Sequence, residues 1–190
     1  MNESVLLLYA IDFLVIGSLP YVFFRQDGRK NLKWWSTAAP FLLCPLLLLN
    51  SYFKLVTPLL KYGQLWNFHN DLLSVPFSVA SISLIFFTLG THRIPLSLWH
   101  QNNDRPKHIV TYGAYGKIRH PFYTSFLLSL LGGFILYPHP GTIFTLIYGL
   151  VALNITAARE EKRLSASEFG AEYKAYIKHT GRFFPKLETK

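Results

Sequence analysis

One cysteine and one methionine are present among 190 residues, and only 15% of the chain is charged. The single thiol, Cys44, rules out an intrachain disulfide and any site built on several thiolates. Seven histidines stand at positions 69, 92, 100, 108, 120, 139 and 179, and no two of them make a tight His-x-x-His or His-x-x-x-His pair. A metal centre of the kind found in membrane oxidases and desaturases is therefore not expected. Acidic residues are scarce, ten against nineteen basic. No internal repeat and no low-complexity tract is present. The N-terminus has Asn2-Glu3 where a secretory leader would carry basic residues, and no small-residue cleavage site follows, so the first apolar stretch is expected to be retained.

What the chain has in quantity is apolar residues, 51% of the total, and they come in runs rather than in alternation. A helix crossing a bilayer needs roughly 20 mostly apolar residues. Val5–Phe24 fits, with Asp12 as its one internal charge. Trp34–Leu60 fits although Pro40, Pro45 and Pro58 interrupt it, and Leu72–Leu89 carries no charge. Phe122–Tyr137 and Gly141–Ala158 are shorter and are separated by the turn Pro138-His139-Pro140. The pattern predicts an all-α, polytopic membrane protein of about five transmembrane helices, the last two forming a hairpin. Residues 1–70 hold the N-terminal helices. Residues 71–190 form the functional core, made of the loop 91–121, the hairpin 121–159 and the tail 160–190.

The formal charge of +9 raises nucleic acid as a partner, but its distribution argues against one. Seventeen of the nineteen basic residues fall in Arg25–Lys33, Arg93–Arg119 and Arg159–Lys190, leaving Lys54 and Lys61. With five spans these three segments lie on one side, which the positive-inside rule makes cytoplasmic. The N-terminus, Lys61–Asn70 and the Pro138 turn then lie outside.

Two polar blocks flank the hairpin. Lys107–Tyr123 (KHIVTYGAYGKIRHPFY) is basic and aromatic, and Arg159-Glu160-Glu161-Lys162-Arg163 follows the last span. Their equivalent depth suggests one site built from both. Gly113 and Gly116 allow positive φ or close backbone approach. Pro121 suits the first turn of a helix and biases His120 away from helical geometry. Carboxylates so close to an apolar span are costly unless paired. Glu160 and Glu161 are either functional or an exposed turn paired with Lys or Arg three or four residues on. From Arg159 the tail reads as a helix leaving the bilayer, with Phe169, Tyr173, Tyr176 and Ile177 forming one apolar face.

Gly113-Ala114-Tyr115 followed by Ile118-Arg119-His120-Pro121-Phe122-Tyr123 resembles the G-x-Y…[VI]-R-H-P-x-Y pattern of the isoprenylcysteine carboxyl methyltransferase family, whose superfamily includes phospholipid N-methyltransferases. Glu160-Glu161, Phe169-Gly170, Glu172-Tyr173, Tyr176 and Thr180-Gly181-Arg182-Phe183-Phe184-Pro185 resemble the rest of that C-terminal signature. The likeness covers roughly residues 89–186. It departs after R-H-P-x-Y, where many members carry a small residue, often glycine, two positions beyond the tyrosine and this chain has Thr124-Ser125. Five spans in a short chain resemble prokaryotic members, which implies a prokaryotic cell membrane.

The resemblance implies methyl transfer from S-adenosylmethionine, with S-adenosylhomocysteine as product. It implies a cytoplasm-facing pocket closed by the hairpin, the preceding loop and the tail, and a lipophilic substrate arriving sideways from the bilayer. Lys107, His108, Ile109, Tyr112, Tyr115, Arg119, His120, Pro121, Tyr123, Glu160 and Glu161 are then the expected cofactor-binding residues. Glu160, Glu161 and Arg182 are the expected catalytic ones. One glutamate would face the pocket and the other would be structural. Arg182 would neutralise a substrate or cofactor carboxylate, or be a surface charge. His120 could instead hydrogen-bond a helix end. Tyr115 and Tyr123 could be interfacial belt aromatics, and Arg119 an ordinary cytoplasmic charge. An isoprenylcysteine-type carboxylate is the first acceptor class and a phospholipid or other lipid amine the second. A membrane protein keeping the fold without catalysis is the third reading. Gly132-Gly133 and Gly141 permit close helix approach within the hairpin or between protomers, so oligomeric state stays open.

Overall fold

The computed structural model describes residues 1–19, 29–55, 64–91 and 109–186. Those residues form six helices and no strand. They are α1 (Glu3–Gly17), α2 (Leu32–Tyr52), α3 (Gln64–Thr91), α4 (Pro121–Leu136), α5 (Pro140–Ser165) and α6 (Gly170–His179). Three segments are long and apolar enough to cross a membrane: Leu32–Tyr52, Phe68–Thr91 and Pro140–Ser165. Helices α1 and α4 are shorter, at 15 and 16 residues.

The burial pattern is that of a bundle in a nonpolar solvent. The outer surface of α3 presents Leu72, Leu73, Val79, Phe86 and Phe87, while its inner stripe is Ser74, Ser78, Ser81, Ile85 and Thr88. Helix α5 likewise exposes Ile143, Phe144, Ile147, Leu150 and Val151 and buries Thr142, Thr145, Gly149, Thr156 and Ala157, with Leu153 the one large apolar side chain among them. Lipid gives apolar side chains no reason to turn inward, so small and hydroxyl-bearing residues take the interface, where backbones approach and polar groups pair. Helix α4 sits at the centre, packed against α1, α2, α3 and α5. Gly132 of α4 shows how close that packing is. A Cβ there would collide with the Tyr9 hydroxyl of α1 and lie 2.9 Å from Phe77 Cβ of α3.

Helices α1 to α5 alternate in direction. At one end the Asn2 amide donates to Asp71 Oδ2 (2.8 Å) and the Tyr52 hydroxyl to Glu3 Oε1 (2.8 Å), joining the start of α1 to α3 and to the end of α2. The α4–α5 hairpin turn is closed by a capping box. His139 Nδ1 accepts from the Gly141 amide (2.9 Å), and the His139 amide donates to Thr142 Oγ1 (3.2 Å). At the opposite end lie Thr91, Arg119 and Glu161.

Three segments depart from the sequence reading. Helix α2 ends at Tyr52, with Pro40 and Pro45 inside it. Part of the expected outer loop, Gln64–Asn70, is the first two turns of α3. The tail is not one helix. Helix α5 continues through Glu160–Ser165, stops at the turn around Ala166–Phe169, and α6 begins at Gly170. Gly170 lets the chain re-enter helix there, because a Cβ would press on the Ser165 carbonyl.

Candidate functional site

Before α4 the chain packs on the bundle through Val110, which is buried, and a single 3-10 turn at Gly113–Gly116. Gly113 adopts φ 61°, in the left-handed region, with its Cα against the Thr91 side chain. Only glycine meets both conditions without strain. Gly116 has no positive φ.

The Arg-His-Pro segment is held from two sides. Ile118 pairs with Gly181 in an isolated parallel bridge. The Gly181 amide donates to the Lys117 carbonyl (3.3 Å), the Arg119 amide to the Gly181 carbonyl (2.8 Å) and the His120 amide to the Arg182 carbonyl (3.1 Å). The Thr124 hydroxyl donates to the Phe183 carbonyl (2.8 Å). Residues 180–183 thus act as a strap over the start of α4. Helix α6 sets the strap's position: the Tyr176 hydroxyl donates to the Tyr115 carbonyl (2.5 Å) and Tyr173 is buried. Burial pushes the phenols of Tyr115 and Tyr173 above the ordinary tyrosine range and that of Tyr176 up to about 12. They remain hydrogen-bond donors at neutral pH.

Glu161, on the last turns of α5, is the hub. Its Oε1 accepts from Arg119 Nε (2.9 Å) and Arg182 Nε (3.1 Å), and its Oε2 accepts from Arg182 Nη2 (2.6 Å). His120 Nε2 lies 3.3 Å from the same Oε1. Arg119 spends a further N–H on the Thr180 carbonyl, and Arg182 donates from Nη1 to Asn154 Oδ1 (2.7 Å). One carboxylate so paired with two guanidiniums satisfies the cost of its burial. Glu160, one residue earlier, has a different environment. It accepts from the Tyr123 hydroxyl (2.8 Å) and faces His120 Nδ1 at 3.6 Å. His120 is stacked on Tyr123, ring centroids 5.2 Å apart and planes within 4°, with Phe183 edge-on at 6.2 Å. Both imidazole nitrogens therefore face carboxylate oxygens. Lys33, in the first turn of α2, lies within electrostatic reach of Glu160, Arg159 and Arg163.

Of the residues expected from sequence, Arg119, His120, Pro121, Tyr123, Glu160, Glu161 and Arg182 come together here. His120 takes the N-cap position with φ −127°, and Pro121 opens α4. Tyr115 is at the periphery, within electrostatic reach of Glu160. Ile109 is half-buried beside Val110, and Tyr112 is 61% exposed, with no contact to the cluster shown. Lys107 and His108 fall outside the described residues. Sequence reasoning passed over Asn154 and Lys33. Asn154 had a readable signal: it is a polar residue in an apolar run, seven positions before Glu161 and so two turns away on the same face of α5.

Among the described residues no group of three or more His, Cys, Asp and Glu side chains is arranged to hold a metal ion. No family model, no curated protein and no solved structure matches the chain.

Proposed function

We propose that this chain is an integral membrane methyltransferase that uses S-adenosylmethionine to methylate a lipophilic acceptor, with an isoprenylcysteine-type carboxylate the favoured acceptor. The reading rests on one observation above others. Arg119, His120, Glu160, Glu161 and Arg182 lie up to 63 positions apart in sequence and converge at one end of the bundle. They are the residues that carry the resemblance to isoprenylcysteine carboxyl methyltransferases.

The groups present suit the cofactor. The rings of Tyr115 and His120, the latter backed by the buried Tyr123, suit an adenine and a sulfonium cation. Glu160 suits an amine or ribose hydroxyls. The N-terminus of α4 has no side-chain cap, and its first-turn amides suit a carboxylate. When bound, S-adenosylmethionine supplies an electrophilic methyl group. The chain's own task is alignment of an in-line displacement, which is a problem of orientation. Glu161 performs it indirectly: it fixes Arg119 and Arg182 and thereby the strap. His120 and Tyr123 form a rigid stacked wall beside the strap. A carboxylate acceptor is ionised at neutral pH and needs no base. In this reading the strap, the site and the C-terminus face the cytoplasm and the N-terminus lies outside, in a prokaryotic cell membrane.

A lipid amine is the second acceptor class, and the Glu160–His120 pair favours it. An ammonium must lose its proton before it can attack, and either side chain can take that proton.

The test is calorimetric titration of the purified chain with S-adenosylmethionine and S-adenosylhomocysteine, alongside His120→Ala and Glu160→Gln. Micromolar binding that both substitutions weaken by at least tenfold supports the cofactor site. Turnover with a prenylcysteine or with an amine lipid then decides the acceptor. Folded wild-type protein that binds neither compound refutes the proposal.

A further inference from the structure

Far from the strap, Asp12 of α1 is fully buried in the bundle together with Ser78 and Ser81 of α3 and Ser129 of α4. Asp12 Oδ2 lies 3.0 Å from Ser78 Oγ and 2.7 Å from Ser129 Oγ, and Asp12 Oδ1 lies 2.9 Å from Ser81 Oγ. The hydroxyls of Ser81 and Ser129 are 2.8 Å apart. Four oxygens (Oδ1, Ser81, Ser129 and Oδ2) thus close a ring through the carboxyl carbon, with Ser78 attached to it.

Among the described residues no side chain supplies a counter-charge. Helix α1 carries only Glu3 and Asp12, α4 carries no charged residue, and α3 carries His69 and Asp71, at the end where Asp71 holds Asn2. On α2 the sole cation is Lys33, beside Glu160 at the other end. Tyr9, within electrostatic reach of Asp12, adds no positive charge, and its hydroxyl is given to the Ser74 carbonyl (2.8 Å).

The protons can be counted. Four oxygen–oxygen contacts at 2.7 to 3.0 Å require four protons, one in each. Three serines supply three. With an ionised carboxylate one contact is left with lone pair against lone pair, whichever way the hydroxyls turn. A carboxylic acid supplies the fourth proton. The ring then runs from Asp12 through one serine to the other and back to the second carboxyl oxygen, in either sense, with Ser78 donating to Oδ2.

We propose that Asp12, Ser78, Ser81 and Ser129 form a buried proton-binding site, in which the bound proton makes Asp12 a neutral acid and latches α1 to α3 and α4. The latch is independent of the methyl-transfer reading. Asparagine reproduces it: the amide donates to Ser81, Ser81 to Ser129, and Ser129 and Ser78 donate to the amide oxygen. Leucine does not.

The experiment uses the full chain in lipid nanodiscs. Infrared difference spectra of wild type against Asp12→Asn at neutral pH are expected to contain the carbonyl stretch of a protonated carboxylic acid, shifted in D2O. Asp12→Asn is expected to move the thermal midpoint by less than about 4 °C, whereas Asp12→Leu lowers it by more. The wild-type midpoint is expected to be equal in sodium, potassium and choline chloride. Carboxylate stretches alone at Asp12 would overturn the proposal. So would a midpoint raised by sodium in the wild type but not in Asp12→Asn, which would mean a sodium ion on an ionised Asp12. Should Asp12→Asn fail to fold, the wild type labelled with 13C-aspartate still decides: a protonated band that survives at mildly alkaline pH supports the site, and its absence refutes it.

Discussion

Replacing Glu161 with alanine removes the acceptor of three guanidinium hydrogen bonds and leaves Arg119 buried without a counter-charge. Breaking a buried ion pair from one side costs about 3–5 kcal/mol. The Arg119–Glu161 pair belongs in that class, with side chains 9% and 10% exposed. Arg182 is 31% exposed, and water screens its share to under ~1 kcal/mol. The sum is ~3–6 kcal/mol. It falls on the strap, because Arg119 and Arg182 join residues 119–120 and 180–183 to α5. At about 1.4 kcal/mol per factor of ten, the undocked strap becomes about a hundred- to ten-thousandfold more populated. Hydrogen exchange reads this directly at the amides of Arg119, His120 and Gly181, whose acceptors lie across the strap. The matched control is Asn154→Ala. It removes a single exposed contact of Arg182 and is expected to cost under ~1 kcal/mol. Protection lost by less than about threefold in Glu161→Ala, or lost equally in Asn154→Ala, would show that Glu161 is not the hub.

Gly113→Ala places a Cβ at φ 61° and into the Thr91 side chain, at a cost of about 1–2 kcal/mol for the backbone alone. Adding Thr91→Ala is expected to recover only the steric part of the lost thermal stability. Gly132→Ala forces the Tyr9 hydroxyl away and is expected to cost ~1–3 kcal/mol, partly rescued by Tyr9→Phe, as a double-mutant unfolding cycle would read. Alkali is expected to release α6. The folded-state value of Tyr176, about 12, lies above its unfolded value of about 10, so its stabilisation is complete below the unfolded value and disappears as pH rises through the folded one. Tyrosinate absorbance should rise together with protease cleavage in the tail, and Tyr176→Phe should flatten that step.

The Glu161 cluster was legible because its chemistry is written in contiguous letters. Arg-His-Pro, Glu-Glu and Gly-Arg-Phe are each short and polar beside apolar runs, and the folded chain brings all three together. Three things could not be read. Whether Glu160 or Glu161 is the hub depends on a rotation of about 100° per residue around α5, and the hydrophobic pattern does not fix the helix's rotation to that accuracy. The break at Ala166–Phe169 has no proline to announce it; Gly170 marks it only once the Ser165 carbonyl is seen beside it. The first two turns of α3 read as a loop in sequence because Gln64, Asn67 and Asn70 are polar, although a membrane helix can extend past the apolar layer.

The Asp12 latch eluded a hydrophobicity reading for a reason that lies in α3. In a soluble helix the buried stripe is the apolar one, so periodicity in apolar residues reveals it. Here the lipid-facing surface of α3 is the more apolar, and the inner stripe is Ser74, Ser78, Ser81 and Thr88, interrupted only by Ile85. Spacings of three and four residues among hydroxyl side chains carry the same geometric information with the sign reversed. Read that way, Ser78 and Ser81 mark the inner face of α3, and Ser125 and Ser129 that of α4. The only charge in the interior of α1, α3 or α4 above the level of Asp71 is Asp12, and it must point at those faces because a lone carboxyl turned to lipid costs several kcal/mol. The serines are therefore the partners that make an acid at that position tolerable, and their number, three for four contacts, is what assigns the remaining proton to Asp12.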